Sequence, residues 1–175
     1  MKGATYYKIM VFQVQILGVG GYFTQIHNYS SFVIHADGEY TLIDCPDALP
    51  KIVHEANQIT DIGVRLERIN HVILTHLHGD HANGLEGLGF FKKFLQGGEK
   101  PVVYSTREVL KDLWSQKLRP SMKRLYLGLS ERIGKLSVRE LRKACKRVSL
   151  EDFFVPVPLA IRRINRINNL EVEIQ

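Results

Sequence analysis

Apolar residues recur along this chain at two spacings. In Val11-Phe12-Gln13-Val14-Gln15-Ile16-Leu17-Gly18 they alternate with polar ones, the period of a half-buried first strand. The two glutamines and the absence of a cleavage-site pattern argue against a signal peptide or a membrane span. Phe32–His35 and Tyr40–Ile43 repeat the strand pattern on either side of Asp37-Gly38, a dipeptide suited to closing a two-residue hairpin. Pro50 then opens a stretch in which Ile52, Val53, Ala56 and Ile59 share one helical face. Ile69–Leu74 is β-branched and apolar and reads as a buried strand. From Asp80 to Phe94 the spacing predicts a helix packed through Leu85, Leu88, Phe91 and Phe94. Pro101–Ser105 reads as a further strand, and Thr106 caps a helix running to Leu113 or Trp114. Pro156-Val157-Pro158 marks a turn or extended linker. Gly18–Gly21 has neither the lysine nor the spacing of a phosphate loop and reads as a tight turn. Sheets interleaved with helices in this order place the chain in the α/β class.

The densest chemistry follows the fourth strand. Thr75-His76-Leu77-His78-Gly79-Asp80-His81 puts three imidazoles and a carboxylate into six residues at a strand end, where open α/β sheets hold their ligands. In an extended segment His76 and His78 point to the same side and reach one ion. Gly79 permits a turn that re-aims Asp80 and His81 at a second. Nitrogen with carboxylate oxygen favours zinc, with manganese or iron where oxygen ligands are added. His27, His35, His54 and His71 have no partner at ligand spacing and carry no assigned role.

This string resembles the metallo-β-lactamase superfamily, whose His-x-His-x-Asp-His signature is matched in full by His76, His78, Asp80 and His81. Ser30–Ile34 followed by Glu39–Cys45 resembles that superfamily's opening hairpin, which ends in an aspartate orienting the metal loop; the resemblance implies this role for Asp44. Gly84-Leu85-Glu86-Gly87-Leu88 is similar to the ribonuclease Z-like branch of phosphodiesterases, which includes enzymes that trim the 3′ end of precursor tRNA. The implied fold is an αββα sandwich, with this chain resembling its N-terminal half only. The implied site holds two ions, His76 and His78 on one, Asp80 and His81 on the other. Water activated by metal is the nucleophile, and Asp80 both ligates and orients or deprotonates it.

Three further ligands belong to that pattern: a histidine, a bridging aspartate and a final histidine. No histidine follows His81, and Asp152 lies in Ser149–Phe154, which does not resemble the bridging motif. Leu170–Gln175 looks like a strand leading towards the missing histidine. Two protein ligands per ion predict weak metal binding, so the chain alone should hydrolyse little unless a complementary chain or a second copy completes the site.

At 175 residues the chain is expected to form one domain, 1–175. Its +6 charge comes largely from 117–147, where eleven basic residues face only Glu131 and Glu140. This segment predicts basic helix, either a solvated face or a surface for phosphates through Lys123, Arg124, Arg139, Arg142, Lys143, Lys146 and Arg147. Cys45 and Cys145 form no Cys-x-x-Cys pair, which suits a reduced, cytoplasmic setting. Cys45 reads as a buried thiol, with metal ligation as the alternative.

The leading function is a metal-dependent phosphodiesterase, ribonuclease Z-like or acting on small or cyclic nucleotides, with RNA among the candidate partners and no membrane association. Thioester and lactam hydrolases share the metal signature. A different class is a non-catalytic half-domain that binds nucleic acid or pairs with another copy or a complementary chain.

Overall fold

Alternation at the N-terminus becomes β1 (Phe12–Gly18), which pairs antiparallel with β2 (Ser31–Ala36). The computed structural model describes residues 12–126 and 145–159, with backbone alone at 124–126, 145 and 146. Asp37 and Gly38, at φ 51° and 87°, close the hairpin from β2 to β3 (Glu39–Ile43), the positive-φ pair that a two-residue turn needs. After β3 the pairing turns parallel: β4 (Ile69–Ile73), β5 (Val102–Ser105) and β8 (Val155–Pro158) complete one six-stranded mixed sheet in the order β1-β2-β3-β4-β5-β8. The α/β class expected from the sequence is the class observed.

Register shows where the core lies. Gln15, Val33, Leu42, Val72 and Val103 form one row across five strands, and all are buried. They share a core with Ile52, Val53 and Ala56 of α1 (Leu49–Asn57) and with Leu85 and Leu88 of α3 (Gly84–Leu95). The next row, Ile16, Phe32, Ile43, Ile73, Tyr104 and Val157, points to the other face by strand alternation, and none of its members is buried. In β1 the covered side takes Gln15 and Leu17, while Phe12, Val14 and Ile16 stay exposed. Buried Gln15 donates from Nε2 to Asn57 Oδ1 at 3.4 Å, while its Oε1 has no hydrogen-bond partner among the described residues; the Asn57 amide also donates to the Val64 carbonyl and accepts from its N–H, closing the end of α1.

Several expectations shift by local detail. The helix after the metal loop is interrupted at Asn83, giving α2 (Gly79–Ala82) before α3, and Phe94 lies on the exposed side. Ile59 falls beyond the end of α1 and is exposed. Thr106 does cap a helix, its Oγ1 accepting from Val109 N at 3.3 Å, but α4 (Arg107–Asp112) continues through a π-helical stretch, Leu113–Leu118, into α5 (Arg119–Met122). Basic helix does not persist over 117–147: β6 (Arg124–Tyr126) and β7 (Cys145–Arg147) form an antiparallel pair, a long-range ladder that a charge count cannot reveal. Pro156-Val157-Pro158 is neither turn nor linker. It lies in the edge strand β8, where a missing N–H is tolerated.

Lys92 of α3 has no exposed side-chain surface. Its Nζ donates to Glu67 O at 2.6 Å and Asn70 Oδ1 at 2.7 Å, with Glu99 Oε2 at 3.7 Å, pinning α3 to the start of β4. Burial lowers its pKa below the ordinary lysine value, opposed by Glu99 and Glu67. The folded state therefore binds fewer protons than the unfolded chain as pH rises from that lowered value to the ordinary one, and stability increases over that window. Lys92→Met leaves both acceptors without their donor; it should cost about 1–3 kcal/mol in urea unfolding at neutral pH and abolish this alkaline rise.

Candidate metal centre

Ile43 and Ile73 are paired at the ends of two parallel strands, so Asp44 and Leu74-Thr75 leave the sheet side by side. Asp44 N donates to Ile73 O at 2.9 Å, Leu74 N to Tyr104 O at 2.9 Å, and Ser105 Oγ to Leu74 O at 2.6 Å, so the departing chain is held on both sides. Asp44 sits at φ 57°, a left-handed conformation that aspartate tolerates better than most residues. That backbone turn aims its nearly buried carboxylate under the metal loop.

The carboxylate sets the protons of two histidines. Asp44 Oδ1 accepts from Thr75 N at 2.8 Å, and Thr75 Oγ1 lies 2.9 Å from both carboxylate oxygens. A carboxylate only accepts, so the single hydroxyl proton of Thr75 goes to it. The hydroxyl then accepts from His76 Nδ1 at 2.9 Å. His81 Nδ1 likewise donates to Asp44 Oδ2 at 2.7 Å. Both imidazoles carry the proton on Nδ1 by this network, which leaves each Nε2 lone pair free for an ion.

The His78 and His81 rings both pack close to His76. Ring centroids of His76 and His78 stand 4.6 Å apart, and those of His76 and His81 4.1 Å. His81 Nε2 is 3.4 Å from Asp80 Oδ2, while Asp80 Oδ1 is buried with no hydrogen-bond partner. Burial lowers the His76 pKa, helped by the nearby His81 and His78 and opposed by Asp44 and Asp80; this favours the neutral, ligating imidazole. Among the described residues no three such side chains already converge as a coordination sphere. The fit to a divalent ion rests instead on the donor chemistry, the two Nδ1 anchors and the unsatisfied Asp80 oxygen, which has an acceptor's lone pairs and nothing to receive.

Cys45 is fully buried, and burial, then the charges of Asp44 and Asp47, push its thiol far above the ordinary range. It is a core thiol, not a ready thiolate ligand. Its backbone matters more: Cys45 N donates to His81 O at 2.7 Å and its carbonyl accepts from Gly84 N at 2.8 Å, tying the end of α2 and the start of α3 to the Asp44 segment. His71 Nδ1 lies 3.2 Å from the Tyr104 hydroxyl and His35 Nδ1 3.2 Å from Gln13 Oε1, contacts within the sheet and away from the donors. An apolar pocket between α1 and α3, lined by residues including Leu49, Leu88 and Phe91, has none of the histidines in its wall.

The basic candidates divide. Lys123 and Arg147 border one polar groove together with Arg119, which the sequence reading passed over. Arg124 and Lys146 sit in β6 and β7, with side chains outside the described residues, as are Arg139, Arg142 and Lys143 altogether. Sequence reasoning also missed Thr75 as the relay between Asp44 and His76, although a hydroxyl beside the first donor was its visible signal.

The family model of the Anti-Pycsar protein Apyc1 matches residues 12–175. The chain belongs to the Apyc1 family. Among curated relatives of that name, one from Paenibacillus sp. (strain J14) is 37% identical over 111 residues, covering 63% of this chain and 42% of the relative. Another, from Bacillus phage BSP38, is 30% identical over 145 residues, covering 80% and 54%. The chain thus spans about half the length of these Apyc1 relatives. Among solved structures it is similar to human tRNase Z, short form, at 28% identity and a TM-score of 0.46, covering 58% of this chain and 38% of that one. It is also similar to the metallo-β-lactamase fold protein YhfI from Bacillus subtilis, at 22% identity and a TM-score of 0.49, covering 62% and 41%. Apyc1 membership replaces the ribonuclease Z assignment suggested by the glycine-leucine continuation of the motif. No helix among the described residues is long and apolar enough to cross a membrane.

Proposed function

We propose that this chain carries the metal-binding first half of a phosphodiesterase site that opens cyclic nucleotides. The observation supporting this most strongly is the Asp44 network, which prepares His76 and His81 with free Nε2 atoms beside an unsatisfied Asp80 oxygen. Membership of the Apyc1 family points the same way. His76, His78, Asp80 and His81 would hold divalent metal, zinc or manganese. Such metal supplies charge to a phosphoryl oxygen and acidity to water. The chain's own residues place the His76 and His81 protons on Nδ1, keep the Asp80 carboxylate in a dry position as acceptor, and fix the loop that carries all four donors. With no histidine after His81, two ions would each draw few ligands from this chain, so turnover should be slow.

The test is incubation of the purified chain with cyclic mononucleotides and added zinc or manganese, with linear monophosphate detected by mass spectrometry. Slow, metal-dependent ring opening is expected, reduced at least about 100-fold in His76→Ala. A wild-type chain that demonstrably carries metal and opens no cyclic nucleotide would refute the proposal.

A further inference from the structure

The loop from 19 to 30 bears large apolar side chains that the core does not use. Phe23 is 90% exposed, Ile26 83% and Tyr22 54%. Exposed rings in such a group call for an explanation when they border a site. Tyr22 does border it: its Cε2 stands 3.3 Å from where a Cβ on Gly79 would lie, and Gly79 joins His78 to Asp80. The ring therefore lies against the turn of the metal loop itself.

The rings are also ordered among themselves. Tyr22 stacks with Tyr29 at 6.2 Å and an interplanar angle of 19°, and meets Phe23 edge-on at 5.3 Å and 69°. The loop beneath is closed by Gly20 N donating to Asn28 O at 2.8 Å, Ser30 N to Gly20 O at 2.9 Å and Thr24 N to Gly21 O at 3.0 Å. Asn28 Nδ2 donates to Glu55 Oε2 at 3.1 Å, anchoring the loop to α1. A Cβ on Gly18 would come within 2.3 Å of Tyr29 O, so the loop folds back onto the end of β1 as closely as glycine allows. A loop backbone held this way loses little freedom when a ligand stacks on the rings it carries.

We infer that the Tyr22–Phe23 pair is a stacking platform for the planar base of a nucleotide whose phosphate lies at the metal loop. This rests on the phosphodiesterase reading and deepens it by assigning the base a subsite. A π-face accepts any base, so the platform supplies affinity for nucleotides as a class and little discrimination among them.

The probes are adenosine 5′-monophosphate and ribose 5-phosphate, which share the phosphorylated sugar and differ in the base, titrated by NMR into the zinc-supplemented chain. The nucleotide should bind at least about tenfold more tightly. The double substitution Tyr22→Ala with Phe23→Ala should remove that advantage. Phe23→Ala alone, at an almost fully exposed position, should take most of the advantage with an unaltered melting temperature, which separates stacking from a folding defect. Equal binding of both probes to the unsubstituted chain, or an advantage that survives the double substitution, overturns the platform while the phosphate site stands. If neither probe binds, the phosphodiesterase reading fails and the platform falls with it.

Discussion

Asp44→Ala is expected to weaken zinc binding by about 10–100-fold and to destabilise the fold in the same step, because one carboxylate serves both ends. It receives the Thr75 N–H and hydroxyl and the His81 Nδ1 proton. Its removal frees His81 to rotate, deprives Thr75 of the acceptor that fixes its hydroxyl, and through Thr75 releases the His76 tautomer. Hydrogen bonds to a charged group are worth about 1.5–3 kcal/mol each, and alanine tolerates φ 57° less well than aspartate, so a loss of about 3 kcal/mol or more in chemical unfolding should accompany the metal defect. Asp44→Asn separates the two effects. Asparagine accepts the left-handed backbone and still receives Thr75 through its carbonyl oxygen, but it turns an NH2 donor or a weaker acceptor towards His81. Calorimetric zinc titration of both variants should show a similar loss of affinity, with unfolding much less affected in asparagine. Unchanged zinc affinity in Asp44→Ala would contradict its place beneath the metal loop.

Gly84→Ala is the other large effect. A Cβ there would lie 2.0 Å from Pro46 O, 2.8 Å from Pro46 C and 3.0 Å from Cys45 O, all backbone atoms that cannot swing aside as a side-chain tip would. The start of α3 must therefore move away from the 44–46 segment, breaking the 2.8 Å bond from Gly84 N to Cys45 O and straining the 2.7 Å bond from Cys45 N to His81 O. A loss of at least about 3 kcal/mol in urea unfolding is expected, with weaker zinc binding by whatever folded protein remains. Three residues on, Gly87 has nothing within 4 Å of its would-be Cβ. Gly87→Ala should therefore raise stability by about 0.5–1 kcal/mol through helix propensity alone. If both substitutions behaved alike, backbone packing at Gly84 would not be what makes glycine necessary there.

These two glycines show how far a motif can be read. Gly84-Leu85-Glu86-Gly87-Leu88 pointed to the ribonuclease Z-like branch, which membership of the Apyc1 family replaces, while Leu85 and Leu88 are core residues as their spacing implied. Nothing in the string said that one glycine abuts a carbonyl and the other faces solvent. Asp44 was similarly legible as an aspartate at a hairpin end. Its bond to His81 spans 37 residues and its bond to Thr75 31, so the network became visible only once β3 and β4 lay side by side.

By itself the sequence determined what neighbouring residues can settle. Asp37-Gly38 dictated the hairpin because few other pairs accept two positive φ angles. Thr106 dictated a helix start because its hydroxyl reaches Val109 N, and His76-Leu77-His78-Gly79-Asp80-His81 carried its donors in local order. Tertiary structure decided what depends on distant partners: which side of β1 is covered, that Lys92 lies fully inside, that 124–126 pairs with 145–147, and that Tyr22 rests on Gly79. Alternation along a strand defines two faces, yet only the packing of α1 and α3 chooses between them. In β1 that choice placed a glutamine inside, its Nε2 donating to Asn57 Oδ1 at 3.4 Å, and three large apolar residues outside.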